Sequence, residues 1–289
     1  MKIDIPKAEV AIIVPCYNHG LYLSKCLESI IEQIFTDWVC IVIDDGSTDN
    51  SEVIAKHFSN ICHKIYYVKQ NNLGVAYARN KGINISLSDF ILPLDSDDII
   101  MPQYLEKTVN VAKNNPKVKV VYTNCSLFGR VDGLFTLPEY SFQTLLQRNI
   151  ITSTALFRRE DYNKTSGYDT GIQGWEDWDF WISLLDRDSQ VIKLSEALFW
   201  YRQYEESRNS KIATNPKLKS ELRQYIYYKH IEKYQSCSGD PNVIHFGLAV
   251  MKNELKEIAI LHSEAKCYDN NIQPSNKISW CNILSVNSS

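Results

Sequence analysis

The segment Phe90-Ile-Leu-Pro-Leu-Asp-Ser-Asp-Asp98 ends an apolar run in three carboxylates within four residues. In an extended chain Asp95 and Asp97 project to one face and Asp98 to the other, so like charges are held close together. A hard divalent cation relieves such repulsion, prefers oxygen ligands and commonly links one or two carboxylates to substrate phosphates. The plain structural alternative is an acidic turn that caps the next helix. A calcium-binding helix–loop–helix is disfavoured, because Ile99 occupies the fifth loop position and no glycine stands at the sixth. A phosphatase with an Asp-x-Asp nucleophile suits Asp95 and Asp97 but leaves the other acidic clusters unexplained.

The second cluster closes the run Val39-Cys-Ile-Val-Ile-Asp-Asp-Gly-Ser-Thr-Asp49, which turns at Gly46 into a helix capped by Ser47, Thr48 or Asp49. A carboxylate at this point can accept hydrogen bonds from a base N–H or a ribose hydroxyl. Asp45 is the candidate for that role and Asp49 for the cap. A third pair, Glu176 and Asp177, opens a helix just after Gly174, where the helix dipole also favours acids. The first apolar run ends Ile13-Val-Pro-Cys-Tyr-Asn18 with no glycine-rich loop behind it. That argues against the dinucleotide fingerprint and the Walker loop. Tyr17 offers a ring face for stacking a nucleobase.

These clusters need elements to carry them. Val10–Val14, Val39–Ile43, Ile65–Val68, Phe90–Leu94 and Val118–Tyr122 are short runs rich in Val and Ile, the pattern of buried strands. Leu23, Leu27, Ile30, Ile31 and Ile34 recur at helical spacing, residues 75–85 do so less cleanly, and Pro102 suits the first turn of a helix running to about Asn114. The alternation predicts an α/β fold with a mostly parallel sheet flanked by helices, ligands binding beyond the carboxyl ends of its strands. From Gly129 to Ser153 the pattern weakens to loops around a short helix near Phe142–Arg148, the expected acceptor side. A helix over Glu176–Asp186 and a last strand near Ala197–Tyr201 follow. Residues 209–289 read as a C-terminal helical extension and a polar tail, with ten Lys and Arg against seven Asp and Glu.

At 289 residues, 44% hydrophobic and 22% charged, the chain has an ordinary globular composition, and a net charge of −3 identifies no partner. The eight cysteines show no metal-ligand spacing and predict reduced core residues. The first residues lack a secretory apolar segment and no stretch approaches a membrane span, which predicts a cytoplasmic chain.

Taken together, Val-Pro-Cys-Tyr-Asn (14–18), Asp-Asp-Gly-Ser-Thr-Asp (44–49), the run from Asn72 to Gly82, Leu-Asp-Ser-Asp-Asp (94–98) and Gly-Trp-Glu-Asp-Trp-Asp-Phe (174–180) resemble glycosyltransferase family 2. The resemblance spans roughly residues 9–208 and implies a GT-A catalytic domain over 1–208, with a donor half to about 125 and an acceptor half beyond it. It implies an inverting transfer from a nucleotide-sugar donor, UDP-linked, to a saccharide or lipid-linked saccharide acceptor in bacterial surface polysaccharide synthesis, O-antigen or capsule. The resemblance assigns donor binding to Pro15, Tyr17, Asp45, Arg79, Asp97, Glu176 and Arg202, a Mn2+ or Mg2+ ion to Asp98 and Asp97, and the general base to Asp177. A carboxylate with a reference pKa near 4 is a weak base for a sugar hydroxyl unless burial raises it. No nucleic-acid partner is implied.

Related enzymes often carry Tyr-Arg-x-His after the last strand, whereas this chain reads Tyr201-Arg-Gln-Tyr204. Tyr204 cannot replace a histidine as a cation or as a comparable metal ligand, although Arg202 and Arg208 can compensate electrostatically. The substitution leaves open a nucleotide-sugar-binding protein of the same fold without turnover. The basic, Tyr-rich C-terminal region is also compatible with peripheral association at an anionic membrane.

Overall fold

A computed structural model of the chain describes residues 4–204, 207–237, 239, 243–250 and 252. Strands β1 (Val10–Cys16) and β2 (Trp38–Asp44) are buried along their whole length. Alternate residues serve different cores. Val10, Ile12 and Val14 pack with Leu23, Leu27 and Ile30 of α1 (Gly20–Ile31), while Ala11 and Ile13 join the opposite cluster with Ala78 and Ile83 of α3 (Val75–Ile85). Burial on both faces is why these strands read as continuous apolar runs and not as alternating ones.

β3 (Ile65–Lys69), β2, β1 and β4 (Phe90–Pro93) form a parallel set. Beyond β4 the sheet becomes mixed: β8 (Leu156–Arg158) runs antiparallel to both β4 and β6 (Val118–Gly129). β9 (Gln190–Gln203) pairs in parallel with β6, and the two-residue β5 (Ile99–Ile100) closes antiparallel on β9. The order among the described residues is β3-β2-β1-β4-β8-β6-β9-β5, with β7 (Gly133–Phe135) hanging on β6. Helices α2 (Ser51–Ile61) and α4 (Tyr104–Asn114) cover the face shared with α1. α5 (Phe142–Gln147) and α7 (Glu176–Leu184) cover the other, while the single-turn α6 (Arg159–Tyr162) follows β8.

Close packing of α3 on the sheet depends on Gly82, where an added Cβ would stand 2.5 Å from Ile13 Cγ2. Overpacking of that kind costs about 1–3 kcal/mol. After β9, α8 (Arg208–Ala213), α9 (Pro216–Lys229) and α10 (Ile231–Ser236) bury Leu222, Ile226, Tyr227 and Tyr234 in the same cluster as α7, so the extension shares the core of the sheet.

Several sequence expectations shift. The weak stretch after residue 129 is not all loop, since β6 runs to Gly129 and turns back through β7. β9 begins at Gln190 and not near Ala197, because its exposed first half alternates too little to be legible. α1 stops at Ile31, leaving Ile34 exposed, and α4 starts at Tyr104, two residues after Pro102. No side chain caps α2 at its Asn50 N-cap; Asp49 instead accepts hydrogen bonds from the Ser51 N–H (2.9 Å) and the Gly20 N–H (2.9 Å), tying α2 to α1. Cys16, Cys26, Cys40, Cys125 and Cys237 are buried free thiols; Cys267, Cys281 and the polar tail lie outside the described residues. Among the described residues no helix is long and apolar enough to cross a membrane.

Candidate active site

Beyond the carboxyl ends of β1, β2 and β4 lies a cavity of about 630 Å³. Pro15 and Tyr17 leave β1 into it, Asp45 leaves β2, Asp95 and Asp97 leave β4, and Arg79 reaches it from α3. Glu176 and Asp177 enter from the start of α7, and Arg202 from the end of β9. Residues from distant parts of the sequence therefore share one space, as the strand-end rule for α/β sheets requires.

The adjacent acids at 44 and 45 have different tasks. Asp44 accepts from the Ser47 N–H (2.8 Å) and the Tyr67 hydroxyl (2.7 Å), which fixes the turn. Asp45 accepts from Gln70 Nε2 (2.7 Å) and from the N–H groups of Leu73 and Gly74 (both 2.8 Å), so it shapes the loop that walls the cavity. Tyr17 lines the cavity and is 46% exposed.

Asp95, Asp97 and Asp98 also diverge. The chain is not extended here: the Asp98 N–H bonds the Asp95 carbonyl (3.0 Å) in a turn between β4 and β5. Asp95 and Asp97 face the cavity, whereas Asp98 points back toward β9, where its Oδ1 accepts from the Arg202 N–H (2.8 Å). Burial, then the Asp97 and Asp95 charges, push the Asp98 carboxyl well up, and among the described residues its Oδ2 has no hydrogen-bond partner. Asp97 is pushed up by burial and by Asp95; its Oδ2 accepts from the Tyr204 hydroxyl (2.9 Å), and His19 Nδ1, bonded to Ser96 Oγ at 2.8 Å, stands 4.0 Å from its Oδ1.

Asp95 is held differently. Arg79, 1% exposed, sends Nη2 to Asp95 Oδ1 (2.6 Å) and Nη1 to Glu176 Oε1 (3.0 Å). Arg208 Nη2 reaches the same Glu176 oxygen at 3.0 Å, and Ser153 Oγ donates to Asp95 Oδ2 (3.2 Å). Burial opposes ionisation of both acids, but the arginine charges outweigh it and hold both carboxyls below the ordinary range. Arg79 is thus engaged as a strut between the turn after β4 and the start of α7, whereas the family resemblance assigned it to donor binding.

Asp177 has the opposite environment. Burial, and then the neighbouring Glu176 charge, raise its pKa to about 6. Asn149 Nδ2 donates to its Oδ2 (2.8 Å) and the Trp178 N–H to its Oδ1 (2.9 Å), which orients the carboxylate. The approach to α7 is strained: Gly174 has φ 128° and Trp175 φ 56°, a conformation rare for an aromatic residue. Asn149, Ser153 and His19 were invisible in the sequence, because each acts through a contact more than 25 positions away and none belongs to a periodic pattern.

Among the described residues no group of three or more His, Cys, Asp or Glu side chains is arranged to hold a metal. Raised, mutually repelling carboxyls at Asp97 and Asp98 nonetheless fit a hard cation that shares its oxygens with a diphosphate. Only Asp97 of the two faces the cavity.

The chain is 44% identical to glycosyltransferase GlyA of Streptococcus pneumoniae over 98 residues, a match that covers 34% of this chain and 14% of GlyA. It is 28% identical over 234 residues to the putative teichuronic acid biosynthesis glycosyltransferase TuaG of Bacillus subtilis, covering 78% of this chain and 90% of TuaG. In fold it is similar to S. aureus TarS 1-349 solved in complex with UDP-GlcNAc, with TM-score 0.64 and 20% identity over 78% of this chain and 70% of TarS 1-349. That likeness shows the GT-A fold, with its sheet and flanking helices. Residues 11–167, more than half of the sequence and the part that delivers the acids of β2 and β4 to the cavity, match the model of that family, so the chain belongs to glycosyl transferase family 2.

Proposed function

We propose that this chain transfers a sugar from a nucleoside-diphosphate sugar, UDP-linked, to a hydroxyl of a saccharide or lipid-linked saccharide, with inversion at the anomeric carbon. The observation that carries the reading is Asp177: a carboxylate with a pKa of about 6, oriented by Asn149 and Trp178, in one cavity with Asp97. A general base works best when its pKa lies near the working pH, and this value is much nearer than an ordinary aspartate's. UDP-GlcNAc bound to TarS supports the choice of donor. The teichuronic acid biosynthesis ascribed to TuaG supports bacterial surface polysaccharide as the product class.

In the proposed reaction Asp177 takes the proton of the acceptor hydroxyl as its oxygen bonds to the anomeric carbon. The bond from that carbon to the diphosphate oxygen breaks on the opposite face. Pro15, Tyr17 and the loop shaped by Asp45 hold the nucleoside, and Arg202 and Arg208 supply positive charge near the departing diphosphate. When bound, Mn2+ or Mg2+ supplies further charge stabilisation at that diphosphate, and Asp97 is the residue that would hold it. Asp98 is better placed to anchor β9 behind Asp97 than to touch an ion. Positioning and electrostatic stabilisation carry the remaining rate. A lipid-linked acceptor would bring the chain to the inner face of the cell membrane as a peripheral protein.

One observation favours the rival reading, binding without turnover: the Tyr204 hydroxyl already occupies an oxygen of Asp97. Nucleoside diphosphate released from a panel of nucleotide sugars, with manganese and mixed saccharide acceptors, separates the two. Acceptor-dependent release supports the transferase; donor-induced thermal stabilisation with no release under any condition supports the rival.

A further inference from the structure

The loop that delivers Trp175, Glu176 and Asp177 is flanked by two acids, Asp169 before it and Asp179 within α7. Lys229, the last residue of α9, reaches both: its Nζ lies 2.6 Å from Asp169 Oδ2 and 2.8 Å from Asp179 Oδ2. Asp179 is fully buried, and its other oxygen meets His230 Nε2 at 2.8 Å. Asp169 Oδ2 also accepts from the Tyr225 hydroxyl (2.7 Å), while the Gly171 N–H bonds Asp169 Oδ1 (2.8 Å). Burial opposes ionisation of Asp169, but the Lys229 and Tyr225 hydrogen bonds hold its pKa at about 2.

The chain from Asp169 to Trp175 includes no helix or strand, yet it ends in the strained pair Gly174–Trp175 before α7 begins. Strain at such a pair persists only where the surroundings over-determine it. Ile212 and Leu222 of α8 and α9 press on Gly174, where a Cβ would meet Ile212 Cδ1 at 2.6 Å, and the ammonium of Lys229 ties the loop's two ends. Asp179, fully buried, meets two partners, Lys229 Nζ and His230 Nε2, so removing Lys229 takes away one of the two groups that satisfy it.

We propose that Lys229 is a positioning residue for the transfer reaction, an ionic staple by which the C-terminal helices fix the geometry of Asp177. The proposal rests on Asp177 being the base. It gives the extension a task at the site although neither Lys229 nor His230 lines the cavity.

The test compares Lys229→Met, Lys229→Arg and Asp169→Asn in the full chain. Amide hydrogen exchange of residues 170–177, measured without substrate, should accelerate about tenfold or more in Lys229→Met and Asp169→Asn and return near the original rate in Lys229→Arg. In the same variants kcat should fall about tenfold, in the range that small misplacements of a reacting group produce, with donor Kd unchanged within twofold. Unaltered exchange and kcat in a folded Lys229→Met protein would overturn the proposal. So would acceleration in Lys229→Met with none in Asp169→Asn, since the tie needs both ends. Should Lys229→Met fail to fold, Asp169→Asn decides by itself, its exchange either accelerating or not. Exchange is read on the free protein, so an absence of turnover in the unaltered chain counts against the role of Asp177 and not against the staple.

Discussion

Arg79 and Glu176 stand 97 positions apart in sequence and 3.0 Å apart in space, joined by an ion pair that is almost fully buried. Through Asp95, 2.6 Å from the other end of the same guanidinium, the pair couples the end of β4 to the start of α7. The two halves of the cavity are therefore one electrostatic unit: the strand turn that carries Asp97 and the helix that carries Asp177 share a cation.

Removing that cation should be expensive. Arg79→Met leaves the buried Glu176 and the partly buried Asp95 without their shared partner, and breaking buried pairs in this way costs about 3–5 kcal/mol. Urea denaturation should show a loss of that size. Arg79→Lys should recover less than half, because a single ammonium cannot make two divergent contacts as a guanidinium does. A loss below about 1 kcal/mol in Arg79→Met would contradict the strut.

The pH dependence follows from Asp177. Its carboxyl is raised to about 6 by burial and Glu176, and a base acts only when deprotonated. kcat/KM should fall roughly tenfold per pH unit below about 6 and level off above it. Stability runs the other way. The folded pKa exceeds the unfolded one, so the folded state binds the proton more tightly, and stability declines as pH rises from about 4 through 6. Profiles of activity and of chemical denaturation between pH 4 and 8 test both signs.

Gly174→Ala should damage activity beyond its effect on stability. With φ 128° and a Cβ 2.6 Å from Ile212 Cδ1, the new residue must shift the loop that aims Asp177. The expected destabilisation is about 1–3 kcal/mol, accompanied by a fall in kcat at a temperature where the variant is fully folded. A variant destabilised to that extent but with unchanged kcat would show that the loop tolerates the shift.

Tyr204→Phe tests the cation site. The Tyr204 hydroxyl occupies Asp97 Oδ2 at 2.9 Å and competes for the lone pairs a cation needs. Deleting a competitor of about 1 kcal/mol should tighten manganese binding about fivefold in the presence of nucleoside diphosphate. Titration calorimetry reads this directly, and weaker binding would mean that the phenol assists the ion.

Much of this architecture was legible in the sequence for a physical reason. Strands such as β1 and β2, buried on both faces, leave uninterrupted runs of Val and Ile, and Asp45 and Asp97 stand out at the ends of such runs, whereas Asp177 at a helix start was legible only together with the other clusters. Single-residue geometry was not legible. An extended reading of 95–98 put Asp98 opposite its neighbours; the structure agrees about the face, but the cause is a turn and the pairing of β5 with β9, which a two-residue strand does not announce. The strut at Arg79 and the bond from Asn149 to Asp177 are long-range contacts without a local signature. The C-terminal extension read from sequence as helical and basic, and α8–α10 form there, but the tie from Lys229 emerged only from tertiary placement.

The most direct measurement is on Asp177→Asn, assayed with the nucleotide sugar that the unaltered chain turns over. The expected result is a fall in kcat of about 10²- to 10⁴-fold with donor Kd unchanged, together with a gain of about 1–2 kcal/mol in stability at pH 7 as the burial and repulsion that raise the carboxyl's pKa are relieved. Turnover within a few fold of the original would contradict the assignment of Asp177 as the base and the account of the cavity built around it.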